Sequence, residues 1–396
     1  MLKENEKGKN IPILFENKEN CAGCSACYSI CPQKAISMVE DEEGFLYPEI
    51  DYKKCIHCYK CQEVCEFSNQ RKESENLSLI DTFAIKASDE ERKKSQSGGL
   101  FAVLSDVILE NGGVVYGCVF NEKFEAVHVR ADEKKDRDLM RKSKYVQSNK
   151  LDTFCSVLED LKKGKKVLFT GTSCEVNGLI SFVEKNNKKL IENLYSVDLI
   201  CHGVPSPLVW RDYLNWEQKK AKGKIKQVIC RNKTFFGWHS HVTTIKFSNF
   251  RSVESVTFTN IFDNACVFRP SCYNCPYKNI HHNSDITIGD CWGIEKNIPS
   301  LDDNKGISIA LVNSSKGSNL LNMASKNLYM KQIEIKDYMQ ESLRKALKKP
   351  DFREEFWSDY KNNDFLYIAR KYCKYRPLED LKWKIKKYLK WNLRKY

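Results

Sequence analysis

The sequence predicts an α+β chain in three parts: a small cysteine-bearing module over residues 1–70, an α/β domain over 80–350 and a basic helical extension over 351–396. Three observations lead there. Two short runs, "CAGCSACYSICP" at 21–32 and "CIHCYKCQEVCE" at 55–66, carry eight cysteines at matching intervals. Beyond residue 80, apolar patterns of strand and helix period alternate. The last twenty residues, "PLEDLKWKIKKYLKWNLRKY", carry seven Lys or Arg against two acids.

The first run, Cys21, Cys24, Cys27 and Cys31 followed by Pro32, reads C-x2-C-x2-C-x3-C-P. Cys55, Cys58, Cys61 and Cys65 repeat it with Glu66 in the proline position. This is the bacterial ferredoxin spacing for a pair of 4Fe-4S clusters. Three thiolates on one tight loop cap three irons of a cube, while the fourth cysteine starts a short helix and reaches the other cube. Cys21, Cys24, Cys27 and Cys65 are therefore expected on one cluster, and Cys55, Cys58, Cys61 and Cys31 on the other. Zinc also uses C-x2-C pairs, but three cysteines in a row, repeated, fit it poorly. Between the runs, "AISMVEDEEGFLYPEIDYKKC" reads as a hairpin turning at "EEGF".

Composition bounds the rest. With 41% hydrophobic and 11% aromatic residues, the chain is that of a folded protein. Its formal charge of +13 favours anionic partners such as an acidic ferredoxin, a phosphorylated cofactor or a membrane surface. The basic residues are spread out and no nucleic-acid-binding signature accompanies them, so nucleic acid is not expected. Eighteen cysteines would suit a secreted disulfide protein, but the N-terminus "MLKENEKGKN" has no apolar export segment. A reducing cytoplasm, where tightly spaced cysteines bind metal, is the expected location. No apolar run approaches the roughly 18 residues that span a bilayer.

After a polar linker, "SNQRKESENLSL" (68–79), the elements follow in order. "DTFAIKAS" reads as a strand, and "SGGLFAVLSDVILENGG" as a helix closed by Gly112 and Gly113. "VVYGCVF" and "EAVHVRA" read as paired strands. "TFCSVLEDLKKGKKVLFTGTSCEVNGLISFV" gives a helix, the buried strand "KVLFTG" and a second helix, and "LYSVDLICHG" a further strand ending in a loop. Such a succession gathers residues from several strand ends into one crevice. The "SQSGGL" and "GTSCEVNGL" junctions each precede a helix, where backbone N–H groups can hold a phosphate or flavin pyrophosphate; a plain capping turn has the same form.

Taken together, "SQSGGL" at 95–100, "SKYVQS" at 143–148, "GTSCEVNGL" at 171–179, "DLICHGVPSP" at 198–207, "RPSCYNCPYK" at 269–278 and "SDITIGDCWGI" at 284–294 resemble the family of coenzyme F420 hydrogenase/dehydrogenase beta subunits over about residues 80–350. The resemblance implies a flavin-binding catalytic domain with FAD and a further 4Fe-4S cluster on Cys174, Cys201, Cys272 and Cys275. Ser173 stands where the family usually has proline. The flavin-contacting segments match Ser97, Gly98 and Gly99, then Ser143, Lys144, Tyr145, Gln147 and Ser148, then Gly171 and Thr172. Lys144 is expected to neutralise a pyrophosphate, and Gln147 and Ser148 to hydrogen-bond the flavin. Cys118, Cys155, Cys230, Cys266, Cys291 and Cys373 remain as small buried hydrophobes, with Cys266 and Cys291 the nearest to alternative ligands.

A reductase protonates its product, which makes His202, His239 and His241 candidate acids, each equally readable as a structural histidine; Asp290 is a further candidate or a turn cap. In the tail, Leu381, Ile385, Tyr388 and Leu389 lie at helical spacing, which permits peripheral membrane contact or packing on the chain's own domain. Two functions are expected. One is an iron-sulfur flavoprotein oxidoreductase passing electrons between the clusters, FAD and an organic or deazaflavin (coenzyme F420) substrate, with a carrier such as ferredoxin or reduced deazaflavin as partner. The other is an electron-transfer subunit of a larger redox complex, or an oligomer, with no substrate of its own.

Overall fold

A computed structural model of the chain describes residues 11–67, 81–150 and 152–376. The 68–79 linker and the 377–396 tail therefore lie outside the described residues. In the N-terminal part, β1 (Ile36–Glu40) pairs antiparallel with β2 (Leu46–Ile50) in the register Ile36↔Ile50 to Glu40↔Leu46, the expected hairpin. Asp41 folds the connection: its Oδ1 accepts from the amides of Glu43 (3.0 Å) and Phe45 (2.8 Å).

The two cysteine runs repeat one backbone pattern. Gly23 and His57, two residues after the first cysteine of each run, have φ of +66° and +55°, and Ser25 and Tyr59, four residues after it, have +71° and +58°. Left-handed residues alternating with cysteines curl the loop so that successive thiols point to one centre. Short helices follow each loop, Ala26–Ile30 and Lys60–Glu63.

The remainder is built on one mixed sheet of eight strands. Its members are β3 (Asp81–Lys86), β4 (Val114–Phe120), β5 (Ala126–Ala131), β6 (Val167–Thr172), β7 (Leu194–Leu199), β11 (Ile286–Asp290), β12 (Ser308–Val312) and β13 (Tyr329–Gln332), in the order β13-β3-β12-β11-β7-β6-β4-β5. The four central strands β4, β6, β7 and β11 run parallel, and the flanks are antiparallel. Helix Leu100–Glu110 buries Leu100, Val103, Leu104, Val107 and Ile108 in one apolar layer with Leu168, Val197 and Ile286. Helices Thr153–Lys162 and Ser173–Asn187 form another layer through Phe154, Val157, Leu161, Val176, Leu179 and Val183. Ala26 and Val64 of the cysteine module belong to this second layer, so the module is seated in the core of the larger domain.

Two features go beyond the expected α/β succession. A separate antiparallel sheet, β8 (Ile225–Ile229), β9 (Thr243–Phe247) and β10 (Ser252–Ser255), interrupts the chain between β7 and β11. These short strands alternate apolar residues with Lys, Gln and Glu, too brief a pattern to stand out. Helices Arg353–Asn362 and Phe365–Tyr372 then pack Phe356, Trp357, Ile368 and Tyr372 with Trp210, Tyr213 and Leu214 of helix Pro207–Ala221. Arg353 also reaches back to Glu43 at the hairpin (Nη1 to Oε1, 2.8 Å).

Candidate active site and cluster thiols

Because β6, β7 and β11 are parallel, their carboxyl ends meet at one edge of the sheet. Gly171 and Thr172, then Ile200 to His202, and then Gly289 and Asp290 converge there. A cavity of about 370 Å³ opens at that edge, within the range of small-molecule and cofactor sites. Its apolar walls include Leu100, Phe101, Phe258 and Phe262, and among its polar groups are Arg141, Lys142, Arg231 and Asp290.

Of the residues singled out in the sequence, Ser97, Gly99, Ser143, Lys144, Tyr145, Ser148, Gly171, Thr172, Cys201, His202 and His241 line this cavity. Gly98, Gln147 and His239 do not. The Gly98 amide donates to Ser308 Oγ (3.0 Å), so it is spent on packing the sheet rather than on a ligand. Gln147 is buried at the junction with the cysteine module, donating to Ala22 O (3.1 Å). His239 pairs with Asp302 (2.9 Å) away from the cavity.

Several lining groups are already committed. Lys144 Nζ donates to the carbonyls of Arg141 (2.8 Å), Leu139 (3.0 Å) and Lys142 (3.2 Å), and burial pushes its ammonium down to about 8. It is a backbone clamp, which leaves the expected pyrophosphate contact without a free donor direction. Ser97 Oγ donates to Ile307 O (2.8 Å). Ser148 Oγ donates to Glu175 (2.8 Å) and lies 3.0 Å from His128 Nδ1. Burial pushes the His202 imidazole down to about 4 and lowers that of His241.

Sequence reasoning missed one wall. Arg231 donates to Asp290 (2.6 Å) and to the Tyr145 hydroxyl (3.0 Å), and its guanidinium lies 5.2 Å from the Trp292 ring centre. Trp238 stacks on Trp292 at 4.6 Å and donates to Asp290 (2.7 Å). Arg231 lies on no motif, and only its packing against "IGDCWGI" reveals it.

The cysteines fall into three groups. Burial raises the thiols of Cys21, Cys24 and Cys27, and in each case Cys65 raises them further, so Cys65 crosses over to the first run. Cys31 lines a small cavity of about 20 Å³ with Cys55, Cys58 and Cys61. Cys174, Cys201, Cys272 and Cys275 form the third group: burial, then their mutual repulsion, raises Cys272, and Cys174 is raised by burial, Glu175, Cys275 and Cys201. Among the described residues no three His, Cys, Asp or Glu close on a point as around a single ion. The curled loops, all-sulfur donor sets and the void inside the second group fit a cube of iron and sulfide.

Two contacts join the first and third groups. A Cβ on Gly178, one helical turn beyond Cys174, would come within 2.8 Å of Cys24 Sγ. Tyr277 is buried between them, its hydroxyl pushed up by burial and then by Cys174, Cys24 and Cys275. The remaining cysteines behave otherwise: Cys266, Cys291 and Cys373 are buried in apolar clusters, Cys155 is half-buried, and Cys118 and Cys230 line the cavity.

Residues 164–338 match the family described as the C terminus of the coenzyme F420 hydrogenase/dehydrogenase beta subunit, and residues 20–69 match the 4Fe-4S dicluster domain. The chain belongs to the family of coenzyme F420 hydrogenase/dehydrogenase beta subunits, with an N-terminal dicluster domain. It is similar to the F chain of the F(420)H(2) dehydrogenase of Methanosarcina mazei, at 23% identity over 180 residues covering 43% of this chain and 51% of that protein. The chain thus spans about half the length of that relative. An uncharacterized ferredoxin of Methanocaldococcus jannaschii is 31% identical over 81 residues, 20% of this chain and 94% of the ferredoxin. Among solved structures, the F420-reducing NiFe hydrogenase complex from Methanosarcina barkeri aligns over 69% of this chain and 96% of its own, at 15% identity and a TM-score of 0.45. As a family member with a dicluster domain, the chain is an iron-sulfur protein of an oxidoreductase family, with two 4Fe-4S clusters at its N-terminus for electron transfer. Among the described residues no helix is long and apolar enough to cross a membrane.

Proposed function

We propose that this chain is an iron-sulfur flavoprotein oxidoreductase in which the 370 Å³ cavity holds FAD and the third thiol group holds a further 4Fe-4S cluster. The observation that carries the reading is Cys201, which belongs both to the third group and to the cavity wall. Bound there, a flavin would convert between the single electrons of clusters and the two-electron chemistry of an organic or deazaflavin substrate.

The chain's own residues supply the setting. Cys31, Cys55, Cys58 and Cys61 hold the distal cluster, with Cys58 exposed. Cys21, Cys24, Cys27 and Cys65 hold the proximal one, and the Gly178 and Tyr277 contacts bring it to the third. The apolar faces of Phe258 and Phe262 exclude water from the cavity, and the Arg231–Trp292 wall offers a cation and a ring face to a planar anionic substrate. Among the candidate acids, His202 and His241 line the cavity and His239 does not.

The second reading, a protein handing electrons on within a larger complex, is favoured by the relative named as part of a dehydrogenase. Anaerobic mixing of the oxidised holoprotein with reduced deazaflavin, and separately with reduced ferredoxin, tests both. Bleaching of the flavin band by deazaflavin makes it an F420 oxidoreductase; bleaching by ferredoxin alone points to a different organic substrate. Holoprotein without flavin after reconstitution would sink the first reading.

A further inference from the structure

Among the described residues six arginines are buried: Arg92, Arg137, Arg141, Arg231, Arg269 and Arg353. Five of them are ion-paired, to Asp89 and Asp303, Asp106 and Asp138, Glu91 and Asp138, Asp290, and Glu43 respectively. Arg269 is fully buried, yet among the described residues no carboxylate pairs with it. Its Nε donates to Cys21 O (2.7 Å), Nη1 to Gln147 Oε1 (3.0 Å) and Nη2 to Leu46 O (3.1 Å), while Nη2 lies 3.6 Å from Cys21 Sγ. The guanidinium also lies 4.0 Å from the Tyr47 ring centre. These partners satisfy its N–H groups without cancelling its charge, and an uncompensated buried charge is strongly unfavourable.

The first cysteine loop is shaped around it. A Cβ on Gly23 would come within 2.8 Å of Arg269 Nη1, whereas the equivalent position of the second loop carries His57. We infer that Arg269 is the counter-charge of the cluster held by Cys21, Cys24, Cys27 and Cys65, a positioning residue that raises this cluster's reduction potential above that of its distal neighbour. The inference rests on the cluster assignment proposed above. A cube with four thiolates is net negative and becomes more so on reduction, so a fixed adjacent cation favours the reduced state. Among the described residues the distal group has no comparable buried arginine, which makes electron flow toward the cavity downhill. Arg269 O also accepts from the Cys272 amide (2.9 Å), fastening the proximal group to the third.

The test is an EPR-monitored redox titration of the full-length, cluster-loaded protein with Arg269→Gln and Arg269→Lys. R269Q is expected to move one cluster to a more negative potential and leave the others in place, with R269K recovering most of the shift. Unchanged potentials in R269Q would overturn the inference. If R269Q loses the cluster, its retention in R269K supports the counter-charge role, and loss in both variants overturns it. Absence of cluster signals in the wild-type protein would instead strike the assignment on which the inference rests.

Discussion

Cys24 packs against Gly178 so closely that a Cβ on that glycine would lie 2.8 Å from the thiol sulfur and 2.9 Å from Cys24 Cβ. Gly178 lies within the helix that begins beside Cys174, so this contact sets how near the cysteine module comes to the third thiol group. Gly178→Ala gains up to about 1 kcal/mol of helix propensity, but overpacking costs about 1–3 kcal/mol. Thermal unfolding should show net destabilisation, and stopped-flow reduction of the bound flavin through the clusters should slow. Unchanged values in both would separate the relay from this contact.

Serine at Cys174 or Cys201 should remove the third cluster while sparing the N-terminal pair, so iron content falls by about a third. Cys118→Ser, on the cavity wall but outside the three groups, should keep full iron. Iron analysis of anaerobically reconstituted protein decides this; equal iron in all three variants would contradict the grouping.

Beneath the cavity, Lys150 and Glu175 form a buried ion pair at 2.8 Å. Burial works against the Glu175 charge, but Lys150 and His128 hold its carboxyl down at about 2. Lys150→Met leaves that charge buried without a partner, and denaturant titration should register a loss of about 3–5 kcal/mol.

Lys233 donates to Ser97 O (3.1 Å) beside the cavity loop, and burial, with Arg92, Lys142 and Arg231 adding repulsion, pushes its ammonium down to about 7. Unfolded, a lysine titrates near 10.4. Between these values the unfolded chain binds more protons, so this residue's contribution to stability rises with pH from about 7 to about 10. Lys233→Met should flatten that rise in melting temperature; an identical pH profile in the variant would refute the assignment.

The dicluster module is legible because its chemistry is local. Three thiols on one loop must recur at short fixed intervals, so the spacing of Cys21 to Cys31 and Cys55 to Cys65 carries the ligand type directly. The hairpin between them and the strand-helix succession from Asp81 to Leu199 are local in the same sense. Cys174, Cys201, Cys272 and Cys275 are scattered, and only resemblance to a family drew them together before the sheet did.

What the sequence by itself determined is thus the iron-sulfur character of the N-terminus and the periods of the elements that follow, since both depend on neighbours a few residues apart. The tertiary structure alone decided which polar groups are free. Lys144 looks like a phosphate ligand in sequence but is closed on three carbonyls, and Gln147 serves the domain junction. Arg231 and Arg269, on no readable pattern, carry charge at the cavity and at the proximal thiols. A side chain's charge is written in its letter; whether that charge is paired, clamped or left for a ligand depends on residues a hundred or more positions away, and only folding brings those together.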